Sequence, residues 1–142
     1  MVIYHIYGYG LQYIIIYYLD VISDKMHKEQ LMELHQFFVH VYRELVPEDY
    51  NCEYMKIYEE LDVRPHHIHK LKTEQRAAIF LLSACIAEYL SKDDKFSKNL
   101  SIKLVENAFK YITPKSDDMK KYINKHQKLL ELKKLNNNTE GI

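Results

Sequence analysis

The chain has 142 residues, of which 47% are hydrophobic and 13% aromatic, enough for one domain with a sizeable core. Its 20 basic and 20 acidic side chains cancel, so it lacks the overall positive field that draws proteins to nucleic acid, and no nucleic-acid partner is expected. Its two cysteines are too few for a disulfide framework, and its three glycines and three prolines are too few for the turns of a many-stranded sheet. An all-α fold is therefore predicted.

The first two predicted helices run over Leu11–Val21 and Lys25–Val46. In the first, residues 14–16 are all isoleucine, which is β-branched, so a strand is the competing prediction. The second follows Ser23 and Asp24, which are favourable N-cap residues, and carries apolar residues at spacings of three and four. A third helix is predicted from Pro47 to Leu61.

The segment Glu74–Leu90 carries the strongest structural signal. From Ala77 onward it has apolar or small residues on every face except at Glu88, and a helix that is hydrophobic all round must be surrounded by others. An amphipathic helix over Asn99–Ile112 and a short last helix over Ser116–His126 follow.

We expect one helical domain over residues 1–135 and a disordered polar tail over residues 136–142. No apolar stretch is long enough to cross a bilayer comfortably, and no signal-peptide pattern is evident, so a cytoplasmic protein without a membrane anchor is expected.

The central segment from Thr73 to Leu90, TEQRAAIFLLSACIAEYL, resembles the central hydrophobic helix of Bcl-2-like proteins, particularly that of the divergent poxvirus Bcl-2-like family. Arg76 falls at the arginine of the cellular motif, while Thr73, Glu74 and Gln75 replace its Asn, Trp and Gly. A polar loop and two helices follow in the same order. The resemblance covers about residues 25–125 and implies a Bcl-2-like helical bundle around a central hydrophobic helix.

The resemblance also implies a function. Poxvirus members of this family act in the host cytoplasm and inhibit innate immune signalling through NF-κB, apoptosis or both. They do so by occupying surfaces of host signalling or pro-apoptotic proteins, without catalysis. The resemblance therefore implies the same kind of activity for this chain.

A partner-binding groove is predicted from an aromatic stripe on the second helix and the start of the central helix. It consists of Phe37, Phe38, Val41, Tyr42, Arg76, Ala77 and Phe80. In a groove, Arg76 would pair with an aspartate of the partner helix. The alternative is that the stripe is ordinary core and Arg76 is solvated.

Six of the thirteen tyrosines lie within the first 18 residues, where Tyr13, Tyr17 and Tyr18 are predicted to form a homodimer or partner surface. The alternative is that the first helix simply packs on the bundle.

No catalytic, metal or cofactor site is predicted. His66, His67 and His69 lack the spacing of zinc ligands, and the glycines at positions 8, 10 and 141 cannot form an internal phosphate loop or nucleophile elbow. A non-enzymatic interaction protein is therefore expected. Two alternatives remain open, namely a helical adaptor or assembly subunit with a constitutive partner, and a metal-dependent or sensory helical domain.

Overall fold

The structure is a computed structural model that describes the backbone of residues 2–91, 95–113 and 117–140, and the side chains of residues 14–91, 99–113 and 117–136. The described backbone contains the helices α1 (Val2–Lys25), α2 (Lys28–Leu45), α3 (Glu53–Leu61), α4 (Lys72–Leu90), α5 (Lys95–Tyr111) and α6 (Asp117–Glu140). No strand occurs in these ranges, which confirms the all-α prediction. The competing strand at residues 14–16 is wrong, because these residues lie within α1.

The chain divides into two compact units, residues 1–112 with α1 to α5 and residues 113–142 with α6. The single domain over residues 1–135 stays a prediction. In the second unit, the helix continues through residues 136–140, where a polar tail was expected. Its buried residues recur every three or four positions along one side, namely Met119, Ile123, His126 and Leu130.

The core of the first unit is α4, against which α2, α3 and α5 pack. Every residue of α4 from Gln75 to Ala87 is buried. The predicted central apolar helix is thereby confirmed, since a helix without a polar face is stable only when other helices surround it. Among the described residues, no helix is both long enough and apolar enough to cross a membrane.

Several helix bounds differ from those predicted: α1 begins at Val2 rather than Leu11, α5 begins at Lys95 rather than Asn99, and α6 ends at Glu140 rather than His126. The starts of α2 and α3 also differ, and each has a local explanation. Helix α2 begins after His27, whose N–H donates to Gln30 Oε1 at 3.0 Å, while Ser23 lies inside α1. Helix α3 begins at Glu53 because Pro47 starts a turn instead, in which the Tyr50 N–H donates to the Pro47 carbonyl at 3.1 Å. The turn leads to Cys52, which is buried just before the helix.

Candidate functional site

An apolar groove of about 850 Å³ lies between α1 and α2 in the first unit. Its walls are formed by Ile14, Ile15, Tyr18, Leu19 and Ile22 of α1 and by Leu34, Phe37, Phe38 and Val41 of α2. Its floor is formed by buried parts of α4 and α5, among them Ser83, Ile86, Ala87 and Leu104. No lining residue carries a formal charge, so the surface that the groove presents is apolar and uncharged.

The groove opens to solvent along both walls. Ile14, Ile15, Tyr18 and Ile22 are exposed on the α1 side, and Phe37 is 59% exposed on the α2 side. The polar atom of the floor is already satisfied, because Ser83 Oγ donates to the Ile79 carbonyl at 2.7 Å. A contiguous exposed apolar surface of this kind marks an interaction site more often than a scattered set of apolar residues does.

The structure separates the residues predicted to form one groove. Phe37, Phe38 and Val41 line the apolar groove, whereas Tyr42 lines a different cavity, formed by α2, α3 and the segment before α4. Ala77 and Phe80 are completely buried in the core. The physical reason is that α4 contributes to the groove floor only from Ser83 onward, whereas residues 77 and 80 lie nearer its start and are covered completely by other helices.

The tyrosines predicted to form a dimer or partner surface lie on α1. Tyr17 and Tyr18 are exposed and meet edge to face, with ring centroids 6.1 Å apart. Tyr18 also lines the apolar groove. The side chain of Tyr13 lies outside the described residues.

Arg76 forms a polar cluster inside the first unit and is only 6% exposed. Its guanidinium donates to Ser23 Oγ at 2.9 Å, to Asp20 Oδ1 at 2.9 Å and to Asp24 Oδ1 at 3.3 Å. It also lies 4.1 Å above the centre of the Tyr111 ring, and the Tyr111 hydroxyl donates to Asp20. Arg76 thus links α1, α4 and α5. Its donors are used within the chain, whereas the prediction had them pair with an aspartate of a partner helix.

Replacing Arg76 with methionine is expected to lower the free energy of unfolding by about 2 kcal/mol. This is less than the full cost of breaking a buried ion pair, because the Asp20 side chain is 34% exposed and can be rehydrated. Urea unfolding followed by circular dichroism measures the change. Asp24→Asn is the control and should cost less than about 1 kcal/mol, because the Asp24 side chain is 72% exposed. Equal losses for the two variants would show that the cluster contributes no more than a surface ion pair.

His35 is the centre of a second buried polar cluster, which the sequence pattern did not reveal. Gln75 Nε2 donates to the Arg64 carbonyl at 3.0 Å, which turns Gln75 Oε1 toward His35 Nδ1 at 2.7 Å. An amide oxygen only accepts, so Nδ1 carries the proton and Nε2 accepts from the Tyr58 hydroxyl at 2.8 Å. Burial lowers the pKa of His35 from 6.5 to about 4, so the ring is neutral at pH 7. A sequence signal did exist, because His35 lies on the buried side of α2, four residues after Leu31.

The other histidines of interest lie in the connection before α4. The ring centroids of His66 and His67 are 4.6 Å apart, and those of His67 and His69 are 5.4 Å apart. Within the described residues, no three His, Cys, Asp or Glu side chains are arranged to hold a metal ion. His67 instead accepts a hydrogen bond at Nδ1 from the Arg64 N–H at 3.0 Å, which fixes the local turn.

Comparison with known proteins places the chain beside archaeal relatives. The family model described as "Uncharacterised protein family UPF0058" matches residues 26–111, from just before α2 to the end of α5. A UPF0058 protein of Methanocaldococcus jannaschii is 58% identical over 94 residues, covering 61% of this chain and 80% of the relative. A UPF0058 protein of Methanothermobacter thermautotrophicus is 38% identical over 69 residues, covering 49% of this chain and 68% of the relative. No solved structure matches the chain.

These relatives overturn the resemblance to the poxvirus Bcl-2-like family. The matching proteins come from archaea, so the predicted viral origin and the predicted inhibition of host NF-κB signalling or apoptosis are wrong. The physical reason is that any bundle built around a buried helix needs an apolar run at that position, so the run in α4 does not identify a family. The Bcl-2-like arrangement of the helices stays a prediction.

Proposed function

Since this chain belongs to the UPF0058 family, we propose a function for it that rests on its own groove rather than on the viral resemblance. The chain is a non-enzymatic cytoplasmic protein that acts by binding protein. Helix α1 of a second copy fills the apolar groove. The observation that supports the proposal is the exposed apolar surface that α1 and α2 present on both sides of the groove.

Helix α1 provides the argument for the occupant. Its residues Ile14, Tyr18 and Ile22, spaced by four, form one exposed stripe along the groove wall. An uncharged apolar groove is complementary to an uncharged apolar helix face, and this stripe is such a face. In a two-fold contact, the α1 helix of each copy would lie against the groove of the other, so a single surface supplies both sides of the interface.

The charge of the chain does not oppose this association. The formal net charge is +0 at pH 7, so two copies do not repel each other through an overall charge. Helix α1 lies outside residues 26–111, which the family model matches, so the proposed contact concerns this chain and is not extended to its relatives.

We expect Phe37→Glu to raise the dissociation constant of the dimer at least thirtyfold, equivalent to about 2 kcal/mol for a residue central to an interface. A carboxylate at this position would be buried without a partner when the second copy binds. Ile68→Glu is the matched control, because Ile68 is 73% exposed and lines neither the groove nor the second cavity. Sedimentation velocity across a concentration series measures the association.

A chain that stays monomeric at about 100 µM would contradict the proposal, as would a dimer that Phe37→Glu leaves intact. A monomer that retains an apolar small molecule through purification would assign the groove to a different occupant and would also contradict it.

A further inference from the structure

A second cavity, of about 460 Å³, lies where α2 and α3 meet the segment of residues 62–71. Its polar lining consists of Gln36, Tyr42, Arg43, Tyr58, Arg64 and His66. We call it the arginine pocket. It faces away from the apolar groove, because Gln36 and Arg43 lie on the opposite side of α2 from Leu34 and Val41, while Tyr42 lies between the two sides. Its volume falls in the range of roughly 300–1,000 Å³ that is typical of small-molecule sites.

The arginines of the arginine pocket differ from Arg76 in their charge balance. Arg76 is paired with Asp20 and Asp24. Across the side chains that the structure describes, neither Arg43 nor Arg64 forms an ion pair, and no aspartate or glutamate lines the pocket. Two guanidinium groups without carboxylate partners at one cavity form a site for an anion, since guanidinium matches the geometry of carboxylate and phosphate.

Arg64 is held in place before any ligand binds. Its N–H donates to His67 Nδ1 and its carbonyl accepts from Gln75 Nε2, so the backbone is fixed on both sides. Its guanidinium carbon lies 5.1 Å from the centre of the Tyr58 ring, and the Tyr58 hydroxyl is itself hydrogen-bonded to His35. A group that is already positioned loses little conformational entropy when a ligand arrives.

The electrostatics of Tyr58 show that both arginines act on the same region. Burial raises the pKa of the Tyr58 hydroxyl, and a hydrogen bond from the Arg64 side chain and the positive charges of Arg64 and Arg43 partly oppose that rise. The hydroxyl of Tyr42 has no hydrogen-bond partner among the described residues, and burial raises its pKa to about 12, so it stays protonated and can donate. Glu59 also acts on Tyr42 from a distance but does not line the pocket.

The rest of the lining is apolar and includes Val39, Met55 and Leu82. These residues provide an apolar surface beside the two arginines, against which the hydrocarbon portion of a ligand can lie. We propose that the arginine pocket binds a small organic anion, in which a carboxylate or phosphate group contacts Arg43 and Arg64 and a short apolar portion rests on Val39, Met55 and Leu82. This inference is independent of the self-association proposed above.

The probes are hexanoate, hexyl phosphate and hexanol, titrated into the full chain while the methyl signals of Val39, Met55 and Leu82 are followed by NMR. At least one of the two anions should bind saturably and at least about tenfold more tightly than hexanol, because a charged hydrogen bond contributes more than a neutral one. Hexanoate alone binding would identify a carboxylate ligand, and hexyl phosphate alone a phosphate ligand.

Arg43→Gln and Arg64→Gln should each weaken anion binding about tenfold or more. Lys56→Gln is the matched control, since it removes one positive charge from an exposed position on α3 that does not line the pocket. Arg64→Lys keeps the charge and guards against a folding effect, and it should bind the anion more weakly than the wild type does. The proposal is overturned if no anion saturates the pocket up to about 10 mM, if hexanol binds equally well, or if the Arg→Gln variants bind like Lys56→Gln.

Discussion

Replacing Phe80 with alanine is expected to lower the free energy of unfolding by about 4 kcal/mol. Phe80 is completely buried in α4, and its ring stacks on that of Tyr111 with centroids 5.9 Å apart. Truncation removes the ring's apolar contacts and leaves a cavity that helices fixed on several sides fill only partly. Urea unfolding followed by circular dichroism measures the loss.

Phe37→Ala is the matched control, because Phe37 was predicted to lie in the same groove as Phe80 but is 59% exposed. At protein concentrations where the chain is monomeric, it should cost less than about 1 kcal/mol. If the two substitutions destabilise the chain equally, Phe80 does not have the central position in the core that the structure gives it.

Acidification is expected to destabilise the first unit through His35. The pKa of this buried ring is lowered from 6.5 to about 4, mainly by burial. Between these values the unfolded chain binds a proton that the folded chain does not, so stability falls as the pH falls. The share of the free energy of unfolding that depends on neutral His35 is fully present above pH 6.5. It is lost progressively toward pH 4, to a total of about 3 kcal/mol.

His35→Gln isolates this effect from the titration of other groups. Glutamine does not titrate, so the variant should be less stable than the wild type near pH 8 but should lose less stability on going to pH 4.5. Denaturant unfolding at a series of pH values gives both slopes. Parallel slopes for the two proteins would show that the folded state does not hold His35 neutral.

The sequence predicted the central helix well, because its evidence is local. The absence of a polar face in α4 requires enclosure by other helices, whichever helices these are. The amphipathic pattern of α2 was equally sufficient to predict a helix with one buried side. Prediction was weaker at helix ends, as at Glu53, where the chain first forms a turn after Pro47 and then buries Cys52 before the helix begins.

The candidate sites were predicted only in part. The stripe of Phe37, Phe38 and Val41 does line an open groove, but its opposite wall is α1 rather than α4. The arginine pocket was not predicted, because Arg43 and Arg64 are 21 positions apart and neither belongs to a recognisable motif. The same limit applies to His35, Tyr58 and Gln75, which meet from three helices.

By itself, the sequence determined that the described chain is helical and that the α4 segment is enclosed, because hydrophobic periodicity acts over a few turns of one segment. Enclosure was predicted for residues 77–90; it holds for residues 77–87 but not for Leu90, which is exposed. The tertiary structure alone decided which polar groups meet. Arg76 meets Asp20, and His35 meets Gln75, across separations of 56 and 40 residues. The composition of a segment carries no information about such distant partners, since they depend on how the whole set of helices is packed.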